Sequence, residues 1–260
     1  NTVAATINYT PVNDAPTIAN PIADQSTSAD TAFSFQVPAN TFADVDVGDA
    51  LSYTATLADG SALPNWLTFN AATQTFSGTP ANADVGSISV RVSAADGKGV
   101  MVYDDFALTV TNVNDAPVLN LTDNAFTFVE NVSHVRIGSS ATLADVDSSD
   151  FAGGTLTATI SGNGTADDRL FLVNQGSGSG QVQVVGSDVF IDGNLVATTA
   201  GGVGAGSPLV VSFNSNADAS AVQAVANRVS FRNVSENPSG LQRTVEMVVT
   251  DGDGGTSNTE

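Results

Sequence analysis

The 260-residue chain has no cysteine, so disulfides, thiolate metal sites and thiol nucleophiles are excluded from the outset. Positive charge is nearly as scarce: 7 lysines and arginines stand against 27 acids, for a net charge of −20. So few cations offer no basic patch for nucleic acid, and an anionic bilayer surface would repel the chain. The single histidine, His134, lies in a strand-like stretch and is matched with no serine, cysteine or second histidine as a catalytic partner, so a surface or packing role is expected. No apolar run reaches the roughly 18 residues that a membrane span needs, so no membrane insertion is expected. The chain starts and stops in mid-pattern and opens on no leader of the secretory type, so it is expected to be a segment of a longer protein.

What the chain has instead is aspartate. Of the 27 acids, 23 are Asp, a turn former and compact oxygen ligand, where a helical or merely solubilised acidic protein would favour Glu. The aspartates recur in order. Val12-Asn13-Asp14-Ala15-Pro16 returns as Val113-Asn114-Asp115-Ala116-Pro117, and Ala43-Asp44-Val45-Asp46 returns as Ala144-Asp145-Val146-Asp147, both at an offset of 101 residues. Self-similarity at about one domain length marks a tandem array. Asn-Asp followed by Asp-x-Asp also gathers hard oxygen ligands of the kind calcium takes, about 6–8 at a time.

Between these motifs the pattern is that of strands. Alternation predicts strands at 32–37, 51–57, 75–77, 88–92 and 106–110, separated by turn residues such as Asp59-Gly60 and Asp96-Gly97. Short strands at this spacing, with no helical period, predict a sandwich. Residues 5–10 align with 106–111 at the same offset and are expected to be the closing strand of a preceding domain. The predicted division is therefore 1–12 (closing strand and linker), 13–113 (first domain) and 114–260 (second domain).

The second domain opens like the first, and Thr157–Ile160 echoes Thr54–Leu57. Its Asp251-Gly252, however, arrives 54 residues later than the period allows. This insert carries Gly-rich loops at 176–180 and 201–206, a hairpin about Asp192-Gly193-Asn194 and a strand at 209–213. Val222, Val225 and Val229 recur at helical spacing, which predicts one short helix between Asp218 and Arg228. With the last strand of the first domain taken to start at Phe106, the matching strand of the second would begin at position 261. The second domain is thus expected to lack its final strand, and residues 1–11 of another copy are expected to be able to supply it by strand exchange.

Leu63–Phe69 with Thr75–Pro80 resembles dystroglycan-type cadherin-like domains of bacterial surface proteins. Val-Asn-Asp-Ala-Pro resembles the calcium linker of cadherin-like repeats. The second domain, with Phe128–Asn131, Asp145–Asp147 and Val249–Gly255, is similar to the cadherin-like repeats of very long, RTX-type secreted bacterial adhesins. The resemblance implies an all-β chain of two tandem Ig-like or cadherin-like β-sandwiches, the second with an insert holding one short helix. It also implies calcium at each junction. The first site would use Asn13, Asp14, Asp44, Asp46 and Asp96, and the second Asn114, Asp115, Asp145, Asp147 and Asp251, with Asp49 and Asp150 as supports. Cadherin repeats also place a glutamate on the first strand. Glu130 fits that place in the second domain, where the first offers only Gln25 or Asp24. The linker is one residue shorter than the vertebrate pattern, so one firmly held ion per junction is expected.

Other features read more plainly. Trp66 is expected in packing rather than as a sugar platform. Asp104-Asp105 and Asp167-Asp168 are sequence neighbours, whose side chains would point to opposite faces of a strand, so they are taken as loop acids or peripheral ion ligands rather than a glycosidase pair. No lysine follows the Gly-rich loops, as a phosphate cradle would require. Arg228, Arg232 and Arg243 are either internal charge partners or a site for an acidic ligand. The expected function is a calcium-stiffened extracellular spacer at a bacterial surface, in contact with neighbouring repeats of its own chain and serving cell adhesion. The alternative is a module that binds a carbohydrate or a surface protein through the second-domain insert. No separated acid pair, triad or activated nucleophile can be assembled, so an enzyme is not expected.

Overall fold

The structure, a computed structural model, describes residues 8, 10, 12–46, 48, 50–123, 125–129 and 132–260. The expected leading strand at 5–10, with the strand exchange built on it, and the roles expected of Asp49 and Glu130 fall outside the described residues in whole or in large part. The chain divides into two compact units, 1–113 and 114–260.

Unit 1 is built from β1 (Thr17–Ile18), β2 (Gln25–Ser28), β3 (Phe33–Gln36), β4 (Phe42–Ala43), β5 (Ser52–Leu57), β6 (Leu67–Asn70), β7 (Thr75–Gly78), β8 (Gly86–Ala95) and β9 (Met101–Thr111). A four-stranded sheet in the order β2-β9-β8-β5 and a three-stranded sheet in the order β3-β7-β6 carry the core, and β1 pairs with β4. The reason is alternation. On β8 the side chains of Val90, Val92 and Ala94 are fully buried, whereas Arg91 and Ser93 face outward. Phe76 from the smaller sheet meets Phe106 from the larger one edge-on, with ring centroids 5.8 Å apart. Burying one such ring is worth about 1.5–3 kcal/mol.

Unit 2 comprises β10 (Val118–Leu121), β11 (Val135–Arg136), β12 (Ala141–Ala144), β13 (Thr155–Gly162), β14 (Asp168–Leu172), β15 (Val182–Val185), β16 (Asp188–Ile191), β17 (Asn194–Gly201), β18 (Leu209–Phe213), α1 (Ala219–Ala226), β19 (Val229–Asn233) and β20 (Thr244–Thr250). A six-stranded sheet runs β15-β16-β17-β18-β13-β20, a three-stranded sheet runs β11-β19-β14, and β10 pairs with β12. The Asp192-Gly193 hairpin forms as expected: both residues have positive φ, 51° and 79°, the twist that a two-residue turn between β16 and β17 requires. The predicted helix forms too. Asp218 caps it by accepting from the Ala221 N–H, and Ala221, Val222, Val225 and Ala226 are buried. Val229, counted with the helix by spacing, is instead the first residue of β19. Unit 1 adds a single 3-10 turn at Asn82–Asp84.

The two units share their register at the motif end. Thr17 pairs with Ala43 and Val118 with Ala144, so both strand pairs repeat at the 101-residue offset and bring Asp-x-Asp next to the preceding Asn-Asp. The Thr54–Leu57 and Thr157–Ile160 echo is equally structural. β5 pairs with β8, which leads into Asp96, and β13 pairs with β20, which leads into Asp251.

One expectation is corrected by the start of β9. It begins at Met101, five residues after Asp96, and not at Phe106. The corresponding residue of unit 2, Thr256, bridges to Thr250, and Met247 and Glu260 exchange both backbone hydrogen bonds, at 2.7 and 3.1 Å. Residues 256–260 therefore run back along β20 as a closing segment, where the sequence had suggested none.

Candidate functional site

Each Asn-Asp linker motif reaches in two directions. In unit 1, the Asn13 side-chain amide donates to Asp96 Oδ2 at 2.9 Å, while the N–H of the next residue, Asp14, donates to Asp46 Oδ2 at 2.8 Å. Asp46 N–H in turn donates to Asp44 Oδ1 at 2.9 Å. Unit 2 repeats the arrangement residue for residue. Asn114 donates to Asp251 Oδ2 at 3.0 Å, Asp115 N–H to Asp147 Oδ1 at 3.2 Å, and Asp147 N–H to Asp145 Oδ1 at 3.2 Å. All ten expected ligand residues thus fall into two clusters of five, one in each unit.

Within each cluster one buried carboxylate oxygen is left over. Asp44 Oδ2 and Asp145 Oδ2 are both buried without a hydrogen-bond partner, at the same place in the repeat. The late aspartates are the opposite case. Asp251 is fully buried, and its carboxylate accepts from the backbone N–H groups of Asp253, Gly254 and Gly255 as well as from Asn114. Burial opposes its charge, but the Asn114 amide and these N–H groups outweigh burial and hold its pKa below the usual carboxylate value. The Asp96 pKa is lowered first by the Asn13 amide and then by the backbone N–H of Lys98 and Val100. Glycine is required around Asp251: a Cβ on Gly255 would overlap Asp251 Oδ2 and stand 2.8 Å from the Ala116 Cα.

Among the described residues, no three acidic or histidine side chains are drawn together tightly enough to form a finished metal cage. The supporting acids serve the backbone. Asp150 accepts from the Ala152 N–H, and Asp24, the weak substitute for the missing glutamate, accepts from the Ala107 N–H on β9. Asp59 closes a turn with Ser61.

Three of the four paired acids, Asp104, Asp105 and Asp168, are corrected from loop acids to strand residues with partners, while Asp167 is an exposed turn residue as expected. On β9, Asp104 accepts from the Ile22 N–H at 2.6 Å, while Asp105 forms a bidentate pair with Arg91 at 2.7 Å. Asp168 opens β14, is fully buried, and holds Asn233 Nδ2 at 2.6 Å and Arg243 Nε at 3.2 Å. Arg243 is therefore an internal charge partner. Trp66 packs against the unit 1 core, as expected.

Residues 15–111 match the He_PIG family model, described as "Putative Ig domain". No curated protein sequence matches the chain. Among solved structures, the chain is similar to cadherin domains 1–5 of protocadherin gamma B2 (12% identity, 96% of this chain and 39% of that one, TM-score 0.47). It is also similar to the human desmocollin-1 ectodomain (13% identity, 96% and 36%, TM-score 0.34) and to an endo-fucoidan hydrolase of glycoside hydrolase family 107 (19% identity, 94% and 27%, TM-score 0.34). The chain spans between about a quarter and two fifths of the length of these three proteins. Among the described residues, no helix is long and apolar enough to cross a membrane. The described residues are nearly all β and form sandwich-type sheets, and the first unit matches an Ig-domain family model.

Proposed function

We propose that this chain is a structural segment of a long, extracellular, RTX-type bacterial adhesin, and that each unit binds calcium at its Asn-Asp and Asp-x-Asp cluster. One repeated observation carries the reading. Asp44 Oδ2 and Asp145 Oδ2 are buried and unpartnered at equivalent positions, in carboxylates whose other oxygen accepts from the Asp46 and Asp147 backbone N–H. An unsatisfied buried polar atom costs about 1–3 kcal/mol, and more when it is charged. A hard divalent cation is the partner that an all-oxygen set without histidine or thiolate suits.

The residues that would hold it are Asn13, Asp14, Asp44, Asp46 and Asp96 in unit 1, and Asn114, Asp115, Asp145, Asp147 and Asp251 in unit 2. Bound calcium supplies positive charge to each acidic cluster. The asparagine amides, which now donate to Asp96 and Asp251, hold those carboxylates in place and would have to yield them to the ion. Because Asn-Asp belongs to the linker and Asp-x-Asp to the sandwich, a shared ion would fix the linker to the unit and stiffen the array. Small-angle scattering and thermal unfolding, each in EDTA and in millimolar calcium, test this. Calcium is expected to raise the melting temperature and narrow the distribution of scattering dimensions. If neither moves, the clusters are turns only.

A further inference from the structure

Five of the seven basic residues belong to unit 2: Arg136, Arg169, Arg228, Arg232 and Arg243. Arg243 turns inward to Asp168. The other four share the outer face of the β11-β19-β14 sheet, and register places them there. Arg136 pairs with Ser230 and Ser230 with Phe171, while Arg232 pairs with Arg169. Directly opposed residues lie on one face, and residues two apart on a strand return to it. Arg228 lies two residues before Ser230, with its carbonyl fixed by the Val173 N–H at 3.0 Å. His134 lies two residues before Arg136. The opposite face of the same strands, including Leu170, Leu172, Val229 and Phe231, is buried in the core, so the platform is held in place.

The cations surround an aromatic ring. The Arg232 guanidinium carbon lies 5.3 Å from the Phe171 centroid, and the His134 ring meets Phe171 edge-on at 5.9 Å. In a chain of charge −20, with acids to spare, none of these four arginines forms an ion pair with a described residue. Arg169 donates only to the Ala166 and Asp168 carbonyls. Like charges directly opposed on neighbouring strands destabilise a sheet, as Arg169 and Arg232 must. Arg228 Nε is buried with no acceptor. Burial, and then the charge of Arg136, pull the Arg228 pKa below its usual value. On physical grounds, then, this face disfavours the free protein and lacks an anion.

We propose that the outer face of β11-β19-β14 binds an anionic polysaccharide, its sulfate or carboxylate groups taken by Arg136, Arg169, Arg228 and Arg232 and a sugar ring lying on Phe171. The backbone positions that carry the cations are spaced about 4.8 Å across strands and about 7 Å along them, an extended array that suits charges strung along a chain better than one small anion. Long duplexes and anionic bilayers present continuous charge, which the surrounding acids would repel. An oligosaccharide segment lies within the patch, whose border on one side is the exposed Asp167, two residues before Arg169. This reading deepens the carbohydrate-binding alternative and does not depend on calcium.

The test is titration of the whole chain in EDTA with dextran sulfate, polygalacturonate, neutral dextran and oligodeoxythymidylate. At least one of the two anionic polysaccharides is expected to bind, more weakly as salt rises. The Arg136→Ser/Arg232→Ser double variant is expected to lose about tenfold or more in affinity, and Phe171→Ala to weaken binding, while Arg91→Ser in unit 1 binds as the parent does. The double variant is also expected to melt at the same temperature as the parent or higher, because a like-charge pair is removed, which separates lost binding from lost folding. The proposal is overturned if neither anionic polysaccharide binds, if the double variant binds undiminished or melts lower, or if oligodeoxythymidylate binds equally well.

Discussion

Replacing Asp145 by asparagine perturbs one charge and little else. Its Oδ1 accepts from the N–H groups of Asp147 and Ser148, at 3.2 and 2.9 Å, and an asparagine oxygen can keep both bonds. Its Oδ2 has no partner to lose. In EDTA the substitution is therefore expected to change the stability of unit 2 by less than about 1 kcal/mol. In calcium the expectation differs. For a site of about 10⁻⁴–10⁻³ M, the range of extracellular modules, roughly 10 mM calcium stabilises the folded unit by about 1.4–2.7 kcal/mol. Weakening the site tenfold would leave about 0.4–1.4 kcal/mol of that gain. Urea unfolding followed by circular dichroism, in both buffers, measures the four values. All three tyrosines and the one tryptophan fall in residues 1–113, so Trp66 emission follows unit 1 separately. Asp44→Asn should reproduce the pattern there. An equal loss in both buffers, or a parent that gains nothing from calcium, refutes the reasoning.

Three further expectations are read in EDTA. Asp168→Ala strands the buried Arg243 and removes the acceptor of Asn233, and is expected to cost about 3–5 kcal/mol; a change below about 1 kcal/mol in the unit 2 unfolding transition would contradict the buried pair. Gly78→Ala puts a Cβ against the Trp66 carbonyl oxygen and 3.2 Å from its ring, and is expected to cost about 1–3 kcal/mol with a shift in Trp66 emission. An unshifted spectrum with full stability would show that the contact can relax. The pKa values of Asp96, Asp168 and Asp251 are all lowered from 3.8 by folding, so the stability they contribute is present above about pH 4 and is lost as the pH falls through their folded values. Urea midpoints between pH 7 and pH 2.5 are expected to hold down to about pH 4 and then drop; a steady decline from pH 7 would assign acid sensitivity to other groups.

Much of this architecture is legible in the sequence because its signals are local. The alternation of β5 and β13, the Asp192-Gly193 turn and the Asp218 cap are each set by residues within a few positions of one another. The repeat offset adds one long-range fact, the return of Asn-Asp and Asp-x-Asp, whereas the place of Asp96 and Asp251 beside them followed only from the cadherin-like resemblance. What was hidden depends on non-local pairing. Asp104 and Asp105 look like loop residues by propensity, yet β9 runs through them because Ile22 and Arg91 arrive from elsewhere to satisfy them. Asp168 and Arg243 lie 75 positions apart with no signal linking them. The arginine face was divided in the sequence between Arg136, Arg169 and the Arg228–Arg232 stretch, and only the β11-β19-β14 register unites it.

The most direct test of the calcium reading is calorimetric titration of calcium into the chelator-stripped chain and its Asp44→Asn and Asp145→Asn variants. The expected result is binding at about 10⁻⁴–10⁻³ M at two sites, with each variant weakening one of them and leaving the other. No calcium-dependent heat in the parent, or binding that survives both substitutions unchanged, would contradict the account.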